Sequence, residues 1–313
     1  MAVHHELESD QPWTPDAVGG ELDRNRELLA ATAGEDRLVA FGLLALAVGL
    51  AANSLLGPLV AEVIEYRFSE SLVNQGIGLD AVALLGAVPL AVVAAVLVRR
   101  GHPAGPVLGF IPSTFAAYMA PQYIIGPDYL ALPGNNEQFF VFHLALFILA
   151  AAVVVGCWIS IDRARLRPAT PVADRRRSLV LFGVAAFILL RWVPLLIELV
   201  GGDPTSAEYR ENPTAFFLIG VLDLGVVLPA ILAAGVAART GAAWARTGIY
   251  AAVGWFALVP AAVAAMAITM QLKDDPNAST ATTITMTVAA VVFTAGAGLM
   301  YRPMFGTEPA SRS

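Results

Sequence analysis

An all-α integral membrane bundle of about eight transmembrane helices is the fold this sequence predicts, and three observations carry it. Hydrophobic residues make up 57% of the 313 residues and charged ones only 14%, a balance that excludes an ordinary soluble globular chain. The apolar residues gather in runs of roughly 20, the length that crosses a bilayer. Arginines crowd the loops on one side and are scarce on the other. The connecting loops are short, so the chain reads as one polytopic unit with no separate soluble domain.

Residues 1–37 hold nine of the 25 acidic residues and read as a polar cytoplasmic tail with a short helix over 20–34. Their start lacks the basic region and apolar core of a cleavable signal. A transmembrane domain follows over 38–302, with spans expected at about 38–62, 80–98, 104–126, 138–161, 178–200, 214–238, 246–270 and 281–301. The third is broken by Pro106, Pro112 and Pro121 and carries Ser113, Thr114, Tyr118, Gln122 and Tyr123. A kinked helix of that kind is tolerated where protein or a wet cavity covers it. Residues 303–313 form a short cytoplasmic tail.

Orientation follows from the arginines and the single lysine. One side carries fifteen of them: Arg24, Arg26 and Arg37, then Arg99 and Arg100, six between Arg163 and Arg177, then Arg239, Arg246, Arg302 and Arg312. The other side carries Arg67, Arg210 and Lys273. This alternation over eight spans sets both termini in the cytoplasm of a plasma-membrane protein. The outer loops are expected at 65–80, 126–138, 201–214 and 273–280. Four spans plus four invite a search for a duplication, and the two halves yield no matched motif on this reading.

The chain's most unusual feature is a charge in each of two adjacent spans. Arg191 lies nine residues before the end of 178–200, and Asp223 nine residues after the start of 214–238. Antiparallel neighbours carry them to nearly the same depth, about 13 Å at roughly 1.5 Å per residue. A lone charge there costs roughly 2.5 kcal/mol or more, so a buried pair is expected. Such a pair serves either as a functional gate or solute site, or as a clasp that fixes helix register.

A second set of polar residues sits toward the outer side: Asn53, Gln122, Tyr123, His143 and Glu198. Together they are candidates for one shallow pocket. Glu198 follows Arg191 by seven positions and shares its helix face. Gly101, Gly105 and Gly109, spaced by four, read as a seam for close helix packing inside the bundle. Cys157, the only cysteine, allows no intrachain disulfide or cysteine-cluster metal site.

No phosphate loop, zinc-binding HExxH, GxSxG nucleophile or intramembrane lysine occurs in the sequence, so no catalytic, cofactor or metal residues are assigned. No basic patch for nucleic acid is present either. The expected partners are the lipid bilayer and a small solute or ion.

Two stretches, LGFIPSTFAAYMAPQYIIGPDY with NNEQFFVFHLALFILA, and RWVPLLIELVGG with LDLGVVLPAILAAG, resemble a group of uncharacterised polytopic membrane proteins of bacteria and archaea. That group has a Tyr-containing third span and an LDLxxVLP sixth span, which Asp223 and Pro229 match here. The resemblance implies a fold and no activity. Three functional classes stay open: a carrier or receptor for a small solute with an outward-facing polar pocket, a structural or accessory membrane protein, and an intramembrane enzyme.

Overall fold

The computed structural model describes residues 15–163, 166, 170–202 and 204–305, with the side chains of 15–33 and 171 outside that description. The extremities of both predicted tails, 1–14 and 306–313, lie outside the described residues. Among those described, every regular element is helical. The helices are α1 (Pro15–Leu56), α2 (Glu70–Val82), α3 (Val88–Arg99), α4 (Ala104–Ile125), α5 (Phe140–Ser160) and α6 (Pro171–Gly201). They continue with the short α7 (Ala207–Glu211), then α8 (Pro213–Leu222), α9 (Leu228–Thr240), α10 (Ala245–Leu272) and α11 (Thr280–Tyr301).

Among the described residues, seven helical stretches are long and apolar enough to cross a membrane: 34–56, 70–99, 136–160, 172–201, 213–240, 245–272 and 280–305. Large apolar side chains such as Leu190, Ile197, Val200, Val291 and Leu299 point outward from them, the arrangement of a bundle whose solvent is lipid. The third predicted span is α4, 22 residues long but less apolar because of its prolines, hydroxyls and amide. It lies at the centre, packed on α3, α5 and α10, and most of it is buried.

One expectation needs correction. Residues 70–80 are the first turns of a helix, not an outer loop. Ser69 caps that helix by accepting from the Leu72 amide, and Glu70 sits favourably in its first turn. The polar residues that suggested a loop have partners in the bundle, since Ser71 and Asn74 donate to the buried Asp275 carboxylate. The first span correspondingly ends at Leu56, just before Gly57 and Pro58.

The helices repeat. A π-turn at Ala83–Ala87 joins α2 to α3, and another at Asp223–Val227 joins α8 to α9. In each the wide turn is closed by an amide donating five residues back, Val88 to Ala83 and Leu228 to Asp223. Each precedes a proline, Pro89 or Pro229, whose ring pushes the preceding carbonyls apart and which has no N–H to donate. The offset between the two turns is 140 residues, and the same offset carries Gly101 to Gly241 and Phe140, the start of α5, to Thr280, the start of α11. The α3–α4 and α9–α10 turns share two of their backbone bonds. His102 N donates to Leu97 O and Ala242 N to Ala237 O, while Gly105 N donates to His102 O and Ala245 N to Ala242 O.

The chain is therefore two units of the same design, α1–α5 and α6–α11. They meet where α2 packs on α10 and where α4 touches α8 and α10. At Gly78 the backbones of α2 and α10 approach so closely that a Cβ would stand 2.5 Å from the Ala265 carbonyl. The units differ in closure. In the first, α1 packs along α5, with Gly42 and Gly49 against Val153 and Leu146. In the second, α6 packs mainly on α9 and α11 on α10. Of the three spaced glycines, Gly105 packs on α3 and Gly109 against Leu43 and Cys157, inside the first unit, whereas Gly101 faces open space and serves the turn at φ +66°.

Candidate functional site

Two aspartates stand within matching spans of the two units, though not at matching positions, since the 140-residue offset sets Asp80 opposite Gly220 and Asp223 opposite Ala83. Asp80 is ten residues into the helix that starts at Glu70, and Asp223 ten residues into the one that starts at Pro213. Both are held by hydroxyl and N–H donors, and the central helix α4 supplies a tyrosine to each.

Asp80 is 1% exposed. Its Oδ1 accepts from Asn53 Nδ2 at 3.1 Å and from the Tyr123 hydroxyl at 3.0 Å, and its Oδ2 accepts from the Tyr66 hydroxyl at 3.0 Å. Asn53 Nδ2 also donates to the Tyr66 hydroxyl. With both amide hydrogens used, Asn53 Oδ1 must accept, and it faces His143 Nε2 at 3.0 Å. The network therefore assigns the proton of a neutral His143 to Nε2. His143 is fully buried, stacked on Tyr123, and its Nδ1 has no partner. All three donors to Asp80 are neutral, which is unusual for a buried carboxylate, since such charges are ordinarily paired with a cation.

The loops cover this site from one side. Asn53 is three residues from the end of α1, Tyr123 two from the end of α4, and His143 three from the start of α5. Gly57 follows α1 directly, and a Cβ there would lie 2.8 Å from the Tyr66 hydroxyl and 3.1 Å from Asp80 Oδ2. Loop 57–69 is stitched to loop 126–139. Arg67 binds both carboxylate oxygens of Glu137 and the Leu132 carbonyl, and its amide donates to Asn136 Oδ1. That contact with Glu137 holds the Arg67 guanidinium above its ordinary pKa. Asn136 in turn donates to the Tyr123 carbonyl. Glu211 accepts from Ser69 and Asn277, so the remaining loops join the same cover.

Beside Tyr66 and Tyr123 is a cavity of about 60 Å³, between α2, α4, α8 and α10, whose polar wall is completed by Gln75 and Gln122. It has room for a few waters and is far below the roughly 300 Å³ of a formed small-molecule pocket.

Asp223 stands in the second π-turn. It accepts from the Tyr118 hydroxyl at 2.7 Å and from Trp192 Nε1 at 3.0 Å, while Arg191 Nη1 is farther, at 3.5 Å. Arg191 Nη2 is also 3.5 Å from Glu208. Arg191 is 47% exposed, whereas Trp192 is buried against Gly220. This cluster ties α6, α4 and α8 together.

The sequence-selected residues thus fall in different places. Arg191 and Asp223 adjoin. Asn53, Tyr123 and His143 converge, around Asp80. Gln122 lines the cavity, with its amide donating to the Tyr118 carbonyl. Glu198 joins neither cluster. It accepts from Thr205 and from the Ser206 amide, closing the turn after α6. Sequence reasoning missed Asp80, Tyr66, Tyr118 and Trp192. The available signal for Asp80 was its place at the head of the apolar run ending in Pro89, as Asp223 heads the run ending in Pro229.

Comparison with protein-family models, with curated proteins and with solved structures finds no match for this chain. The reading of the site therefore rests on its geometry.

Proposed function

We propose that this multi-pass membrane protein is a carrier for an ion or small polar solute, which crosses between two four-span halves, and that Asp80 is the residue it engages. In this reading α4 is the eighth span, and the tails, 1–37 and 303–313, face the cytoplasm of a plasma membrane. The loops 57–69, 126–139, 202–212 and 273–279 are then outside, as the arginine distribution requires. An even number of spans in each half leaves the halves parallel, related by an axis along the membrane normal, a plan that many secondary carriers use.

One observation carries the proposal. Asp80 is a buried carboxylate with only neutral partners, beside a water-sized cavity on the boundary between the halves. An intramembrane acid without a counter-charge is costly, and its retention speaks for a role.

The Arg191–Asp223 pair is better read as a clasp. Its aspartate is bound more closely by Tyr118 and Trp192 than by the arginine, which is what fixing three helices requires and what solute exchange does not.

The test is a melting screen of the purified chain against small amines, amino acids and monovalent cations. A solute at one hundred times its dissociation constant stabilises the parent by about 2.7 kcal/mol. The expected result is a shift in the parent that Asp80→Asn loses. A shift that survives in Asp80→Asn assigns the solute elsewhere, and none across the panel returns the protein to the accessory class.

A further inference from the structure

We infer that Asp80 is a proton-loading site, filled from the loop side through the hydroxyls of Tyr66 and Tyr123. The inference rests on the reading of Asp80 as the carrier's engaged residue, and names the species it engages.

The first argument is space. A metal ion needs several oxygens arranged around an open centre, at about 2.0–2.6 Å for calcium or magnesium. Here the candidate oxygens touch one another. Both tyrosine hydroxyls lie 3.0 Å from the carboxylate, and Asn53 contacts the carboxylate and Tyr66 at 3.1 Å. A proton is the cation that this cluster takes without moving a side chain.

The second argument is that the partners serve both charge states. The carboxylate accepts three hydrogen bonds, two of them from hydroxyls. A hydroxyl rotates freely and either donates or accepts. When a proton adds to Oδ2, the new O–H donates to the Tyr66 oxygen. The Tyr66 hydrogen turns away, toward the cavity that Tyr66 lines. One O–H bond forms at Asp80, one is broken in the delivering hydronium, and the carboxylate charge is neutralised. Asn53 and Tyr123 keep donating to Oδ1 throughout. An arginine or lysine partner could not make this exchange, because it only donates.

The third argument is the route. Tyr66 belongs to the covering loop, and Tyr66 and Tyr123 wall the cavity together with Gln75 and Gln122. Water entering that cavity would lie against the two tyrosines whose hydroxyls hold Asp80. The titratable side chains facing Asp80 are Tyr66 from the loop, Tyr123 from α4 and, through Asn53 of α1, His143 from α5. On the α10 side the nearest described acid is Asp275, which is occupied by Ser71 and Asn74.

The test is infrared difference spectroscopy of the full chain in liposomes between alkaline and acidic buffer. The expected result is a carboxylic carbonyl band on the acid side that Asp80→Asn loses. Tyr66→Phe and Tyr123→Phe each remove one hydrogen bond to Asp80, so each shifts that band, and both slow its appearance after a pH jump. The Phe variants also carry the test if Asp80→Asn fails to fold. A parent without a titrating carboxyl band overturns the inference, as does a band untouched by all three variants. A titrating Asp80 in a chain that binds no solute would sink the carrier reading and leave the proton site. Solute binding lost in Asp80→Asn, with a silent carboxyl, would do the reverse.

Discussion

Gly57 shows how one missing side chain decides the site. It follows the last turn of α1, where the Tyr66 hydroxyl, the Asn53 carbonyl and Asp80 Oδ2 surround the point a Cβ would occupy, at 2.8, 3.0 and 3.1 Å. Tyr66 cannot retreat without losing Asp80, and Asp80 is also held by Asn53 and Tyr123. Gly57→Ala is therefore expected to cost about 1–3 kcal/mol, the usual range for overpacking a tight interior. A melting curve of the purified variant reads that loss, and an unchanged midpoint would mean the network yields freely. Much at this scale was hidden in the sequence. Asn53, Tyr123 and His143 stood out as polar residues in apolar runs. Asp80 did not, because Ser71, Asn74 and Gln75 precede it and made the segment look like loop. Only the fold shows that Ser71 and Asn74 are buried against Asp275.

At the scale of elements, α4 does the joining. It is the long helix outside the seven stretches apolar enough to cross a membrane, and the prolines and hydroxyls that weaken its hydropathy belong to its central place. Tyr118 reaches Asp223 of the second unit, and Tyr123 reaches Asp80 of the first. The sequence exposed α4 as unusual but not what its tyrosines hold. The pairing of Arg191 with Asp223 was legible from depth alone, since two antiparallel spans with charges nine residues from a shared end leave few alternatives. The ranking of Asp223's partners was not legible, because it depends on which face of α4 turns toward α8. That ranking predicts an uneven mutant cycle. Arg191 is half exposed and stands 3.5 Å from Asp223, farther than Tyr118 and Trp192 do, so Arg191→Ala should cost less than Asp223→Ala. Asp223→Ala leaves the Tyr118 hydroxyl and Trp192 N–H without their acceptor, at about 1–3 kcal/mol each. Melting of the two single variants and the double measures the coupling. Equal losses in both singles, recovered in the double, would make the ion pair itself the dominant contact.

At the scale of the whole molecule, the duplication is the feature for which sequence reading found no matched motif. Its trace is sparse: Pro89, Arg99 and Gly101 recur as Pro229, Arg239 and Gly241. Between them most residues differ, because lipid and packed helices accept many apolar side chains. What must recur is the proline that opens a π-turn, the arginine at the helix end, and the glycine that leaves it at φ +66° or +71°. These places are fixed by backbone geometry, not by side-chain chemistry. The duplication also constrains topology. If each half has four spans, both halves face the same way, and every loop carrying Arg99, Arg163, Arg239 or Arg302 shares one side of the membrane. Substituting Cys157→Ser gives a cysteine-free background from which Glu62→Cys and Arg100→Cys, both at exposed positions, report on opposite faces. In intact cells an impermeant thiol reagent should label the cysteine at 62 and spare the one at 100 until the membrane is opened. Labelling of both in intact cells would mean that α2 and α3 do not form one spanning helix. Labelling of 100 alone would invert the protein and turn the proton entrance at Tyr66 toward the cytoplasm.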